Sequence, residues 1–354
     1  MEREQHTIYI TGAAGYVGGM LADQLSRRDD VALVVALDKD PDPGLLSGNE
    51  KVVWLTANLA DDNWQERVRA HSPDTVIHCA WQIRELYGKR ALQRRWNVDG
   101  SKNVFAFAFG TPSVERLVYF STASSYGAYP TNTLEHLFRE EEGFRDEVYR
   151  YAAEKKEVEE YLEQLWHGAA GKKPQVAVVR PAAITGPRGR NMFTRFGLMA
   201  TLRNKLPNTP LYRLVSLLVN RIPVASELWC RQFIHEDDVN DIVTTLALGK
   251  LARGYDVFNI APPGPPVLAR DMAEITHKKV LRVAPLSVRV AFFLFWHLTR
   301  GKVATSPGGW RFYCYPIVMD GSKITAEYGY AYRYHSRDAL ERDAGRYRGY
   351  AKRV

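Results

Sequence analysis

Tyr151 and Lys155 stand four residues apart at the start of a helical run that ends near Trp166, so one helix face would carry a phenol beside an ammonium. A neighbouring cation stabilises a phenolate, and a phenol with an ordinary pKa of about 10 can then exchange protons near neutrality. A solvated Tyr and Lys would share this spacing; a partner distinguishes the two readings. Ser121-Thr122-Ala123-Ser124-Ser125-Tyr126-Gly127 follows the predicted strand Leu117 to Phe120, so its hydroxyls should emerge at a strand C-terminal end. There Thr122 or Ser124 can hold the oxygen that Tyr151 protonates or deprotonates. Helix capping and turn formation are the other uses of such hydroxyls.

A second group binds rather than reacts. Thr11-Gly12-Ala13-Ala14-Gly15-Tyr16-Val17-Gly18 lies between the apolar run Thr7-Ile8-Tyr9-Ile10 and a helical pattern. Glycines there permit a tight strand-to-helix turn and a close backbone approach to a pyrophosphate at the helix N-terminus. The next apolar run, Val31 to Leu37, ends in Asp38, 20 residues past Gly18, where a carboxylate can accept hydrogen bonds from ribose hydroxyls. Its charge repels a 2′-phosphate and favours NAD over NADP; Lys39 softens the preference.

These groups need a scaffold, and the first half of the chain supplies one. Predicted strands at His6 to Thr11, Val31 to Leu37, Val52 to Thr56, Thr75 to Cys79, Leu117 to Ser121 and Gln175 to Arg180 alternate with helical stretches such as Trp64 to Ala70 and Val98 to Phe109. Such alternation implies an α/β protein, a parallel sheet with helices on both faces and ligands beyond the strand C-terminal ends. From Ile184 to Cys230 the pattern loosens into a basic, apolar, turn-rich stretch, and Ala261-Pro262-Pro263-Gly264-Pro265-Pro266 marks a further break. A substrate lobe is expected there. Arg337 to Val354 is charged enough to fray.

At 354 residues, with 45% hydrophobic and 25% charged, the chain can bury a large core. The formal charge of +8 is scattered, with mild clusters at Arg84 to Arg95 and Arg188 to Arg221, which suits a binder of anionic small molecules; no motif for nucleic acid accompanies it. Cys79, Cys230 and Cys314 are far apart and odd in number, as expected of reduced thiols in the cytoplasm. No Cys or His spacing matches a zinc site, so no metal is expected. His78 reads as a packed core residue and His235 as structural. Met1 leads within a few residues into the first strand, leaving no room for a signal peptide. The most lipid-like segment, Val290 to Trp296, is far shorter than the roughly 20 residues of a spanning helix. It is read as a buried helix or pocket wall, with a membrane-surface patch as the alternative.

In this order the motifs resemble those of the extended short-chain dehydrogenases/reductases, the NAD-dependent epimerase/dehydratase group, over most of the chain. Asp74-Thr75-Val76-Ile77-His78-Cys79-Ala80 is similar to the family's fourth strand and the alanine-bearing loop beside the cofactor, and Asn97-Val98-Asp99-Gly100-Ser101 to its Asn-Val-x-Gly-Thr helix start. Arg180-Pro181-Ala182-Ala183-Ile184-Thr185-Gly186-Pro187 resembles its Arg-Pro-x-x-Val-Tyr-Gly-Pro segment. Arg231-Gln232-Phe233-Ile234-His235-Glu236-Asp237-Asp238-Val239 resembles Arg-Asp-Phe-Ile-His-Val-Asp-Asp-Val, whose Arg contacts the diphosphate in relatives that bind nucleotide sugars. Asp320-Gly321-Ser322-Lys323 and Glu327-Tyr328-Gly329-Tyr330 resemble the closing motifs.

The resemblance implies a Rossmann-type doubly wound parallel sheet with a smaller C-terminal substrate-binding lobe. Residues 1-183 would form the NAD-binding domain, with 233-261 and about 317-325 returning to it. Residues 184-232 and 262-316 would form the lobe, and 326-354 a C-terminal segment. It implies Thr122, Tyr151 and Lys155 as catalytic. Gly12, Gly15, Tyr16, Val17, Gly18, Asp38, Lys39, Asn58, Leu59, Cys79, Ala80 and Pro181, with Tyr151 and Lys155, would hold NAD. Thr122, Ser124, Arg231 and Arg311 would contact substrate. Ala123 and Ser124 stand where dehydrating members carry Asp-Glu, which argues against water elimination. Asn58 replaces the usual Asp near the adenine, and the glycine-rich stretch usual before Arg231 is missing. The expected activity is epimerisation of a nucleoside diphosphate sugar through transient hydride transfer, by a cytoplasmic homodimer that does not insert stably in membranes. The alternatives are an oxidoreductase of an apolar alcohol, like the 3β-hydroxysteroid dehydrogenases, and a non-catalytic dinucleotide sensor.

Overall fold

The structure, a computed structural model, describes residues 5–145, 148–189 and 221–351. Six strands run β1 (His6–Thr11), β2 (Val31–Asp38), β3 (Val52–Thr56), β4 (Thr75–His78), β5 (Arg116–Phe120) and β6 (Gln175–Pro181). Three of these coincide with expectation to within one residue at one end, two match it outright, and β5 starts and stops one residue early. Ser121 and Thr122 therefore lie just past its end. Short strands follow at β7 (Ala183–Thr185), β8 (Arg221–Val224), β9 (Cys230–Arg231) and β10 (Phe233–His235). Next come β11 (Tyr255–Ile260), β12 (Val267–Leu268) and β13 (Lys279–Arg282).

The central sheet has the order β3-β2-β1-β4-β5-β6-β11 with every pairing parallel. Sequence order reverses between β1 and β4, so a crevice opens at their C-terminal ends. The two-residue period of a strand divides the core. Ile8, Ile10, Val34 and Ala36 face one apolar cluster; Tyr9, Val35, Val76 and Leu37 face the other. The helices Tyr16–Ser26 and Glu236–Leu248 contribute to the first, and Gly100–Gly110 and Arg150–Gly168 to the second.

β11, which pairs with β6, had no predicted counterpart as a strand. Small ribbons, β7 with β10, β9 with β12 and β8 with β13, carry the chain around the far end of the crevice. Residues 190–220, most of the expected lobe between Ile184 and Cys230, lie outside the described residues.

Two expectations fail. Val290 to Trp296, read as a buried helix or pocket wall with a membrane-surface patch as the alternative, lies in the helix Pro285–Leu298, where only Val288 and Trp296 are buried; Leu286, Val290, Phe293, Leu294 and Leu298 are exposed. One side packs on Ala225 and Cys314, and no described element covers the other. The charged C-terminus does not fray through residue 351: Tyr347 is buried, its hydroxyl donating to the Met20 carbonyl at 3.2 Å, and Arg346 pairs with Asp241 at 2.7 Å. Among the described residues no helix is long and apolar enough to cross a membrane.

Candidate active site

At the end of β1 the chain turns through Gly12, whose φ of +73° lies in the left-handed region. A Cβ there would come within 2.7 Å of the Ala80 backbone, and one on Gly18 within 2.3 Å of the Gly12 carbonyl. Only bare backbone lets the first turn of the helix seat against β1 and the loop after β4. Asp38 at the end of β2 accepts the Ala14 N–H at 3.0 Å through one oxygen and the Asp40 N–H at 3.0 Å through the other. Burial raises its pKa above the usual carboxylate value while these N–H groups oppose the shift. The carboxylate thus fixes the glycine turn and keeps lone pairs for a ligand.

The turn, with Tyr16 and Val17, forms one stretch of the wall of a cleft of about 600 Å³; Asp38, Lys39, Asn58 and Leu59 close its outer end. The Lys39 ammonium pairs with the Asp40 carboxylate at 2.5 Å and lies 5.5 Å from the centre of the Trp96 ring. The cleft residues therefore suit a dinucleotide: a cradle with no room for side chains, followed by a carboxylate at ribose distance in sequence.

Polar groups buried behind this wall position the loop after β4. His78 is buried, and burial together with the Lys155 charge lowers its pKa to about 3. It is neutral, and its neighbours fix one proton arrangement. Thr11 Oγ1 accepts the Ala80 N–H at 3.2 Å and donates to His78 Nδ1 at 2.7 Å, and Nε2 donates to Ser101 Oγ at 2.9 Å. Ser101 in turn donates to the Asn97 carbonyl. The Asn97 side chain accepts the Gln82 N–H at 2.7 Å and donates to Glu154 at 3.0 Å, which ties the loop to the helix of Tyr151. Asn97 sits in a single π-turn, Arg95–Asp99, ahead of the helix Gly100–Gly110, where sequence periodicity had suggested one helix from Val98 to Phe109.

Thr122, just beyond β5, has extended backbone and caps a short 3₁₀ turn, Ala123–Tyr126, by accepting the Ser124 N–H at 3.1 Å. Tyr151 hydrogen-bonds Thr122, and both face the cleft with Ser124. The expected hydroxyl pair is therefore assembled, with capping as an added use of Thr122. The phenol is not activated as expected: burial raises its pKa, and the Thr122 hydrogen bond alone pulls it down. Lys155 is engaged elsewhere. Its ammonium donates to the Phe120 carbonyl and lies 3.7 Å from the centre of the Trp81 ring, below the cleft surface. Burial lowers its pKa to about 7.

Trp81 was not singled out in the sequence. It lines the cleft, covers Lys155 and meets the Tyr151 ring edge-on at 6.4 Å. Its signal was a large aromatic directly after the alanine of the loop. Glu236 was missed too. Fully buried where the family motif has Val, it accepts from the Tyr16 hydroxyl and from the N–H groups of Arg188 and Gly189 at 3.1 and 3.0 Å. It joins the glycine turn to the segment that leads into the lobe. Its neighbour His235 accepts the Asp237 N–H at 3.1 Å and stacks on Tyr334, as a structural residue would.

Beyond Tyr151, the cleft wall holds Cys79, Ala80, Pro181 and Arg231, with Phe312, Tyr315 and Ile317. The Arg231 guanidinium donates to the carbonyls of Cys230 and Tyr313 at 2.6 and 2.9 Å and lies against the Trp229 and Tyr313 rings. No described carboxylate pairs with it, and burial lowers its pKa. Arg311 does not reach the cleft lining: it sits over Tyr129 and Trp310, while its neighbour Phe312 turns inward. Among the described residues the carboxylates lining the cleft are Asp38 and Asp40, both at the outer end. All three cysteines are free, and the described residues hold no cluster of three metal-ligating side chains.

Residues 8–261 match the model of the NAD dependent epimerase/dehydratase family. The chain belongs to that family. A Mycobacterium bovis relative, itself uncharacterized, is 24% identical over 94% of this chain and 82% of its own length. The Bordetella bronchiseptica enzyme WbmG, crystallised with NAD and UDP, superposes with a TM-score of 0.64 at 20% identity, over 95% of this chain and 92% of that one. The UDP-glucose 4-epimerase of Thermotoga maritima, crystallised with UDP-glucose, superposes with a TM-score of 0.66 at 19% identity, over 95% and 96%. These likenesses establish the fold, which is shared over nearly the whole chain.

Proposed function

We propose that this protein is an NAD-dependent epimerase of a nucleoside diphosphate sugar. The observation that carries the reading is one continuous cleft, with the glycine turn and Asp38 at one end, the Thr122–Tyr151 hydroxyl pair in the middle and the Arg231 guanidinium beyond. The glycine turn would hold the pyrophosphate of NAD and Asp38 its ribose hydroxyls. NAD, when bound, accepts a hydride and returns it. Thr122 would hold the reacting sugar oxygen, and Tyr151 would take and give back its proton at the phenolic oxygen. Lys155 would orient a ribose hydroxyl and support the phenolate only once its ammonium has left the Phe120 carbonyl. Arg231 would bind the substrate diphosphate.

Among the described residues no carboxylate lines the cleft beside Tyr151 to remove a carbon-bound proton or protonate a leaving hydroxyl, which supports hydride exchange rather than dehydration. Structural neighbours crystallised with UDP or UDP-glucose support a sugar nucleotide. A second reading has its own support. Trp81, Phe312, Tyr315 and Ile317 give the substrate end an apolar wall, and Arg311 stands away from it, which suits oxidation of an apolar alcohol.

Incubation with a panel of nucleoside diphosphate sugars decides between them. The epimerase interconverts one pair without accumulating NADH and purifies with NAD retained, while Tyr151→Phe cuts turnover by roughly 10²–10⁴ with NAD binding kept. Oxidation of an apolar alcohol that Arg231→Ala leaves unchanged, with no sugar nucleotide bound, would overturn the epimerase reading.

A further inference from the structure

The helix Pro285–Leu298 presents Leu286, Val290, Phe293, Leu294 and Leu298 to solvent. Their spacing of i, i+4, i+7, i+8 and i+12 draws one stripe along the helix, and the side chains stand well clear of the protein: Phe293 is 55% exposed, Leu286 66% and Leu298 79%. Scattered single apolar residues on a surface need no explanation, whereas an unbroken stripe on a 14-residue helix does.

The charge around it has one sign. From Ile275 to Met319 the sequence contains no Asp or Glu, and it carries Lys278, Lys279, Arg282, Arg289, Arg300, Lys302 and Arg311. Arg282, Arg289, Arg300 and Lys302 are exposed and have no carboxylate partner among the described residues. An apolar helix face rimmed by unpaired cations matches a surface that is apolar within and anionic at its boundary. A second copy of the chain fits poorly, because a two-fold contact through this face would set the same cations against themselves without an acid to pair them.

The stripe also continues toward the cleft. Tyr87 packs its ring on Trp296 at 5.5 Å and its hydroxyl bonds His297 at 3.2 Å, and Ile83, four residues before it, lines the cleft while 61% exposed.

We propose that the helix Pro285–Leu298 docks this protein on the surface of an anionic membrane, lying in the headgroup plane with the cleft mouth beside it. The binding is peripheral: a helix of this length seated on the protein reaches the headgroup and acyl boundary and does not span.

Flotation of the full-length protein with vesicles tests this without reference to its enzymatic activity. Wild-type protein floats with vesicles of phosphatidylcholine containing phosphatidylglycerol, far less with pure phosphatidylcholine, and added salt weakens the binding. Phe293→Asp with Leu294→Asp reduces the partition coefficient by at least about tenfold, at an unchanged melting temperature, because both side chains are exposed. Arg289→Ser with Arg300→Ser reduces binding to the anionic vesicles alone. Absence of wild-type flotation, or flotation that the aspartate pair leaves intact, overturns the proposal. So does a wild-type dimer that fails to float and that the aspartate pair splits into monomers, since the face would then belong to a second copy.

Discussion

Lys155 sits where water no longer supports its charge, with the Phe120 carbonyl and the Trp81 and Tyr119 ring faces in place of the lost hydration. Its pKa is depressed to about 7, against an ordinary value of 10.5. Between those values the unfolded chain holds a proton that the folded chain has released, so stability rises with pH across that window. Below pH 7 both states hold the proton, and the folded protein bears the full penalty of a buried ammonium. Lys155→Met should therefore raise the melting temperature of the cofactor-free protein by several degrees at pH 6, with the advantage shrinking as the pH approaches 10. The same variant should lose turnover. A melting series across pH checks the first half; an advantage that does not change with pH would remove the buried charge as its cause. Such a trade of stability for chemistry follows if Lys155 has the catalytic role proposed for it.

At the scale of elements, the glycine turn is the joint between β1, the helix Tyr16–Ser26 and the loop after β4. Gly18→Ala would press a methyl group to 2.3 Å from the Gly12 carbonyl, and neither backbone can yield without parting strand from helix. Overpacking of this kind costs about 1–3 kcal/mol, so NAD affinity measured by calorimetry should fall by about tenfold or more. An unchanged dissociation constant would show that the turn does not carry the cofactor. This joint was legible in the sequence because its reasons are local: strand periodicity, glycine spacing and an acid at the end of the next strand. The hydroxyls after β5 and the Tyr151 helix were legible for the same reason. What sequence hid depends on distant partners. Nothing local says that Trp81 will cover Lys155, that Glu236 will bond Tyr16 from 220 residues away, or that Arg311 will turn outward while Phe312 turns in. The helix Pro285–Leu298 misled for a related reason: composition marks it as apolar, but burial requires a neighbour, and among the described residues one side has none.

Over the whole molecule, the chain returns to its own beginning. After β11 closes the sheet, residues 336–351 cross to the first helix, where Tyr347 is buried and donates to Met20 and Arg346 pairs with Asp241 of the helix Glu236–Leu248. That end was expected to fray because Arg337 to Val354 is dense in charge, yet one buried aromatic outweighs it. Burial of a Tyr ring contributes about 1.5–3 kcal/mol, whereas a half-exposed ion pair contributes about 0–1 kcal/mol. The anchor falls on the outer side of the helix that follows the glycine turn, so residues 346 and 347 brace the element that the proposed cofactor cradle leads into. Removing residues 343–354 should therefore lower the melting temperature by several degrees and weaken NAD binding a fewfold, and Tyr347→Ala should reproduce most of both losses. Arg346→Ala should reproduce little of either. If the truncated protein melts and binds as the full chain does, the C-terminal segment is an appendage and the cradle is supported by the sheet alone.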